Sequence, residues 1–180
     1  MQDAQFFMRR KVLGNLRRAA LVIALALPCL GFAAARADQG SGPVSSQAAQ
    51  GWWLNDDGDS AIYIAPCGAA LCGYVEWLKT PLDKAGKPKT DILNPDAALQ
   101  SRPICGLQMM GGMTPDGSGG WQDGWAYDPK VGKTYKAIMH VAPDGSLRLH
   151  GYIGVPLFGR SKTMTRPGGT LTPCAPGLPG

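Results

Sequence analysis

Any chemistry that needs histidine must use His140 or His150, because the chain has no others. Neither has a carboxylate at a spacing that forces an acid-base pair or a metal site, so both read as surface residues. Asn55-Asp56-Asp57-Gly58-Asp59 puts oxygen ligands at alternate positions, as a calcium loop does. The EF-hand pattern then needs Gly at 60 and Glu at 66, where the chain has Ser60 and Pro66, so a hairpin turn is predicted. Gly58-Asp59-Ser60 echoes the start of a serine-esterase block, but no downstream Asp-x-x-His partner exists. Gly132-Lys133-Thr134 ends like a phosphate loop, yet that loop's first Gly falls at Tyr127 and no helix follows. The glycine-rich stretch from Gly111 to Gly120 lacks a Lys, and both stretches read as loops at a rim. Asp128, Lys133, Tyr135 and Arg160 would make a catalytic set only by converging at one rim. No complete catalytic set stands in the sequence, so a non-enzymatic protein is predicted, with no cofactor and no metal.

Four cysteines follow residue 37: Cys67, Cys72, Cys105 and Cys174. An even count in an exported chain reads as two disulfides, for which three pairings exist. The spacing of Cys67 and Cys72 suits a bridge across one hairpin, which leaves Cys105 to tie down Cys174. No C-x-x-C pair supports zinc.

The elements that must position these residues are short strands. From Gly51 onward, apolar or alternating runs are cut by turn residues, and strands are predicted near 51–54, 60–65, 71–79, 104–110, 120–127, 134–142, 146–153 and 161–166. Eight strands without a helical period predict an antiparallel sandwich or barrel. One hairpin can be read in register. A three-residue loop, Pro143-Asp144-Gly145, sets Val141 opposite Leu147 and Met139 opposite Leu149, which puts the apolar side chains on one face. His140 and His150 then share the outer face.

Charge and composition divide the chain. The net charge is +5, yet residues 1–37 hold six bases against one acid and carry the whole excess; the 12 bases and 12 acids beyond them cancel. A nucleic-acid partner is therefore not expected. Arg9 to Arg18 form a basic region, 19–35 an apolar stretch broken by Pro28, and Ala35-Arg36-Ala37 a small-x-small site, so 1–37 reads as a signal peptide cleaved near Ala37. The apolar stretch is broken too early for a span of about 20 residues, so no stable membrane insertion is expected after cleavage. Pro28 before Cys29 argues against a lipid anchor. Residues 38–50 are Ser/Gln/Ala/Gly-rich and predicted to be a disordered lead-in, 51–166 the domain, and 167–180 a Pro/Gly-rich tail. The predicted compartment is the periplasm, or another one reached by the secretory route.

Gly51-Trp52-Trp53 satisfies the G-x-W pattern found at the start of lipocalins, where the Trp plugs one end of a barrel and an Arg from the last strand lies across its ring. Arg166 is the partner expected for Trp53, with Arg160 second. The run Gly51-x-Trp53, Ile62-x-Ile64-x-x-Cys67, Leu71-Cys72-Gly73, Asn94-Pro95, Arg102-Pro103-x-x-Gly106, Trp121-x-x-Gly124-x-x-Tyr127-Asp128-Pro129, Gly132-Lys133-x-Tyr135, Leu147-x-x-x-Gly151-Tyr152, Gly159-Arg160 and Thr165-Arg166 resembles exported bacterial family 2147 of the domains of unknown function. The resemblance spans 51–166 and implies an all-β fold, a small antiparallel lipocalin-like (calycin-type) up-and-down barrel of about eight strands. It implies no activity, and Met164 departs from the Trp that many relatives place there.

Two functions are expected from these residues. In the first, the barrel holds a small apolar or amphipathic ligand, a fatty acid or lipid fragment, against Ile62, Ile64, Trp77, Met109, Tyr135, Met139 and Phe158. Lys79, Lys84, Lys87 and Lys89 read as a solvated loop, or, if a ligand is held, as a portal for its anionic head. In the second, the barrel is filled and its Lys-rich and Gly-rich loops bind a protein or cell-wall polymer in the envelope, a reading that an exposed patch of Trp121, Trp125 and Tyr127 would favour.

Overall fold

Alternating side chains and tight turns generate the architecture one hairpin at a time. The computed structural model of the chain describes residues 46–174. Eight strands run β1 (Gly51–Asn55), β2 (Ser60–Cys67), β3 (Ala70–Leu78), β4 (Gln108–Pro115), β5 (Gly120–Asp128), β6 (Lys133–Val141), β7 (Leu147–Tyr152) and β8 (Gly159–Thr165). Each pairs antiparallel with the next, and β8 returns to β1, so the sheet closes into an up-and-down barrel. The predicted β6–β7 register is the observed one: Met139 lies opposite Leu149 and Val141 opposite Leu147, around a turn in which Gly145 has φ 79°. A left-handed residue is what that three-residue loop requires.

Up-and-down connectivity puts alternate connections at opposite ends. The tight end has the turns after β2, β4 and β6. The loop end has the β1–β2 and β5–β6 turns, the β7–β8 connection over 153–158, and the long β3–β4 connection over 79–107. Ser46–Ala49, expected within the disordered lead-in, instead forms one 3₁₀ turn at the tight end. Its order has a physical cause: Ala49 is fully buried and its carbonyl accepts from the Trp53 indole at 2.7 Å. Residues 1–45, including the expected export signal, and residues 175–180 lie outside the described residues.

The last strand before the closing seam carries Arg166 just beyond it. Its guanidinium stacks 3.8 Å from the Trp53 ring and donates to the carbonyls of Ala48, Gln50 and Trp52 at 2.7–3.1 Å. Two disulfides complete the frame, Cys67–Cys72 across the β2–β3 hairpin and Cys105–Cys174 between the long connection and the tail.

The interior is occupied by side chains. Trp53, Ile64, Met110, Met113, Trp121, Met139 and Leu147 are each at most 2% exposed and belong to one apolar cluster. Glycines make room for the methionines: a Cβ on Gly73 would sit 2.5 Å from Met110 Cγ, and one on Gly124 would collide with Met113. The strand predicted over 104–110 is displaced, for β4 spans Gln108–Pro115. Gly111-Gly112 reads as a loop in sequence but lies inside the strand, with Gly111 packed under Trp125 and register shifts against β3.

Gly73→Ala should therefore lower the free energy of unfolding by about 1–3 kcal/mol, the usual cost of overpacking, as read from the midpoint of urea denaturation. A midpoint equal to that of the parent would mean the interior has space to spare.

Candidate functional site at the loop end

The long β3–β4 connection must lie against the barrel although it has almost no regular structure. It does so through a buried polar cluster. Asp91 is fully buried, and its Oδ2 accepts from Arg102 Nε at 3.0 Å, Arg102 Nη2 at 2.8 Å and Asn94 Nδ2 at 2.7 Å. Its Oδ1 accepts from the Tyr127 hydroxyl of β5 at 2.7 Å. The Arg102 guanidinium also lies 5.3 Å from the Tyr127 ring centroid. Gly132 lets the chain pass beneath, since a side chain there would strike the Leu93 carbonyl. The motif residues Asn94, Arg102, Tyr127 and Gly132, scattered over the sequence, thus meet in one clamp.

Electrostatics mark it as structural. Burial alone would raise the Asp91 carboxyl, but hydrogen bonds from Asn94, Tyr127 and Arg102 outweigh it and hold the group below its ordinary range. Burial and the neighbouring carboxylate push the Tyr127 phenol up. With both oxygens engaged and the group fully buried, Asp91 is committed to the clamp.

The acidic β1–β2 turn is likewise committed. Lys130 bridges Asp57 and Asp59 at 3.2 Å each, and Lys162 reaches Asp56 at 3.5 Å. These pairs link the β1–β2 turn to the β5–β6 turn and to β8. Asp128, Lys133, Tyr135 and Arg160 do come to one rim: Asp128 faces Lys133, Ala126 faces Tyr135 and Gly151 faces Arg160, all on interior-facing positions.

The expected ligand-binding residues are divided by the fold. Ile62, Ile64 and Met139 are buried in the filled interior, Met109 packs against it half-buried, and Tyr135 is half-buried at the rim. A bulge sets Trp77 beside Ala61, one step off the interior-facing pair Ile62 and Val75. Phe158 does not line the interior: β7 ends at Tyr152, the chain continues past the rim, and Phe158 is 72% exposed. The expected aromatic patch is also absent as such, because Trp121 and Tyr127 are buried. A groove of about 530 Å³ opens at the tight end beside Gly120, Trp121 and His140.

Sequence reasoning passed over Glu76. It is 2% exposed at the β3 bulge, and neither carboxyl oxygen has a hydrogen-bond partner among the described residues. Its backbone carbonyl accepts from Cys174 N at 2.7 Å, which brings the tail across β3. Burial pushes its carboxyl up. The signal was present, since Glu76 is the one Glu of the chain and stands in an apolar strand.

Comparison with known proteins agrees with this architecture. Residues 51–166 match the family described as uncharacterized protein conserved in bacteria (DUF2147), and the chain belongs to that family. A solved structure of the Helicobacter pylori protein HP1028, described as belonging to the lipocalin family, is similar with a TM-score of 0.55 and 21% identity. The match covers 65% of this chain and 81% of that one, and it shows a shared lipocalin-like fold. No curated protein matches the sequence.

Two outcomes follow from the buried acids. Asp91→Asn should cost about 2–3 kcal/mol, moderated because Arg102 reaches solvent. The stability that ionised Asp91 contributes is present above its ordinary value of 3.8 and is lost as pH falls through its lower folded value. Urea titrations of parent and variant should therefore converge in strong acid and separate above about 3.8. Glu76 behaves oppositely. Below its ordinary value of 4.5 both states are protonated, and as pH rises the unfolded state ionises first and the fold loses stability. Glu76→Gln should thus gain on the parent between acid and neutral pH; an advantage independent of pH would show that Glu76 ionises freely in the fold.

Proposed function

We propose that this member of the DUF2147 family is an exported envelope protein whose filled barrel is a rigid scaffold and whose loop end binds a partner. The observation that carries this reading is the distribution of exposed apolar surface. Among the described residues, the large hydrophobics left in solvent are Leu82, Ile92, Leu93, Leu99, Val131, Ile153, Val155, Leu157 and Phe158, and each lies in a connection at the loop end. A protein that buries its core so fully and leaves its remaining apolar side chains at one end has the distribution of an interaction surface. Two disulfides and the basic, then apolar, N-terminal segment support export. No helix among the described residues is long and apolar enough to cross a membrane.

A second reading, a carrier of a small apolar ligand, draws support from the lipocalin-like fold and from Met110, Met113, Met139 and Met164 in the interior. Thioether side chains are adaptable and could yield to an acyl chain. The packing around Gly73 and Gly124 favours the first reading, because a ligand would have to displace side chains already in contact.

Native mass spectrometry of the protein isolated from its own envelope, with titration by a fluorescent fatty acid, separates the two. The expected result is no retained ligand and no saturable binding. A one-to-one lipid adduct would transfer the conclusion to the carrier. Amide hydrogen exchange over 79–107 and 153–158 should be slower in intact envelope preparations than in purified protein, and equal rates would remove the loop-end reading.

A further inference from the structure

The β7–β8 connection stands apart from the rest of the loop end. After Tyr152 the chain runs Ile153-Gly154-Val155-Pro156-Leu157-Phe158 and re-enters the sheet at Gly159. Ile153 is 67% exposed, Val155 53%, Leu157 84% and Phe158 72%. Four large apolar side chains within six residues are therefore held in solvent.

They are held there by construction. Phe158 N donates to the Val155 carbonyl at 3.1 Å and Ile153 N to the Phe158 carbonyl at 3.5 Å, so backbone groups of the tip are satisfied within it. His150 Nε2 donates to the Pro156 carbonyl at 2.7 Å, and its Nδ1 meets Ser161 Oγ at 2.9 Å. Gly159 allows this, because a Cβ there would lie 2.5 Å from both the Gly151 carbonyl and His150 Nε2. The tip is a shaped projection anchored to both of its strands.

The basic residues beside the tip are Arg160 and Lys162 of β8, the latter in an exposed pair with Asp56, whereas Arg148, paired with Asp144, and Arg166 lie towards the tight end. Arg160 follows the tip directly and Lys162 stands two residues further on the same face of β8. Arg160 takes part in none of the ion pairs among the described residues.

We propose that this hairpin docks on an anionic lipid bilayer, with Ile153, Val155, Leu157 and Phe158 entering the interface and Arg160 and Lys162 resting against lipid phosphates, Lys162 exchanging its exposed pair with Asp56 for one. The proposal rests on the loop-end reading and names its partner. A convex tip of mainly aliphatic side chains matches few flat protein surfaces, whereas hydrocarbon conforms to any shape. Apolar insertion combined with basic residues is the arrangement that binds anionic interfaces. Internally paired backbone groups limit the desolvation cost of entry.

The test is cosedimentation of protein isolated from its own envelope with vesicles of phosphatidylcholine alone or with roughly a third phosphatidylglycerol, a fraction that makes the surface anionic. The parent should partition at least about tenfold more strongly onto the anionic vesicles, less so at high salt. Leu157→Ser with Phe158→Ser should lower binding about tenfold or more on both vesicles. Arg160→Gln with Lys162→Gln should erase most of the anionic preference, since each basic residue near such a surface contributes roughly fivefold. These side chains are exposed, so urea midpoints of the variants should match the parent and exclude misfolding as the cause. Equal partition of the parent onto both vesicles, or unchanged binding by the apolar double variant, would overturn the proposal. If vesicles fail while 79–107 and 153–158 stay protected in intact envelopes, the lipid assignment falls and the loop-end reading stands with a protein or wall polymer as partner. If protection is absent as well, both fall.

Discussion

Closure of the barrel depends on a short seam. β8 meets β1 through only two residue pairs, Leu54 with Thr165 and Asn55 with Met164, whereas β2 and β3 pair over eight. Arg166 extends that seam without being part of a strand. Its guanidinium donates to three carbonyls around the start of β1 while its plane covers Trp53. A planar fork with several donors can serve carbonyls and an aromatic face at once; an ammonium cannot. Without this contact only those two residue pairs would hold β8 to β1, and a seam that opens exposes edges that invite pairing with other chains. The 3₁₀ turn, the buried Ala49 and the Trp53 indole bond all gather around the same side chain, so order at the tight end follows from it.

Within the closed sheet, space is the second constraint. A barrel of eight strands has room for its own side chains or for one small ligand, and here methionines pack into it against glycines. The bulges belong to that solution. Asp123, with φ 58°, adds one residue to β5 between Trp121 and Gly124 and keeps both facing inward. The price is irregularity in three strands. The gain is an interior packed with apolar side chains, against which the loop end is held.

Local features were legible and distant ones were not. The Pro143-Asp144-Gly145 turn determines its own register, so Val141 and Leu147 could be paired from sequence. The Arg166–Trp53 contact was anticipated through the G-x-W resemblance, since nothing local joins residues so far apart. Gly111-Gly112 carried the composition of a loop, and only the Trp125 ring packed on it explains its place in a strand. Phe158 illustrates the limit of residue type: its apolarity argued for the interior, but its position beyond β7 decided for solvent. The Asp91–Tyr127 bond joins residues 36 apart and becomes visible only once the long connection is laid on the barrel. Glu76 could be seen as a misplaced charge, yet its lack of a partner is a property of the folded neighbourhood.

The covalent tie between Cys105 and Cys174 has a temporal meaning. It spans 69 residues and, with the Cys174 amide bonded to the Glu76 carbonyl, straps the tail over β3 and onto the long connection. The Cys67–Cys72 bridge can form as soon as one hairpin exists. The second must wait until nearly all of the barrel has been laid down, as must the seam at Arg166. Any chain delivered N-terminus first therefore passes through a stage in which the β3–β4 connection is present but unfastened and the sheet is still open. Both fastenings draw on the same short stretch of sequence, so neither can form before the last strand is available.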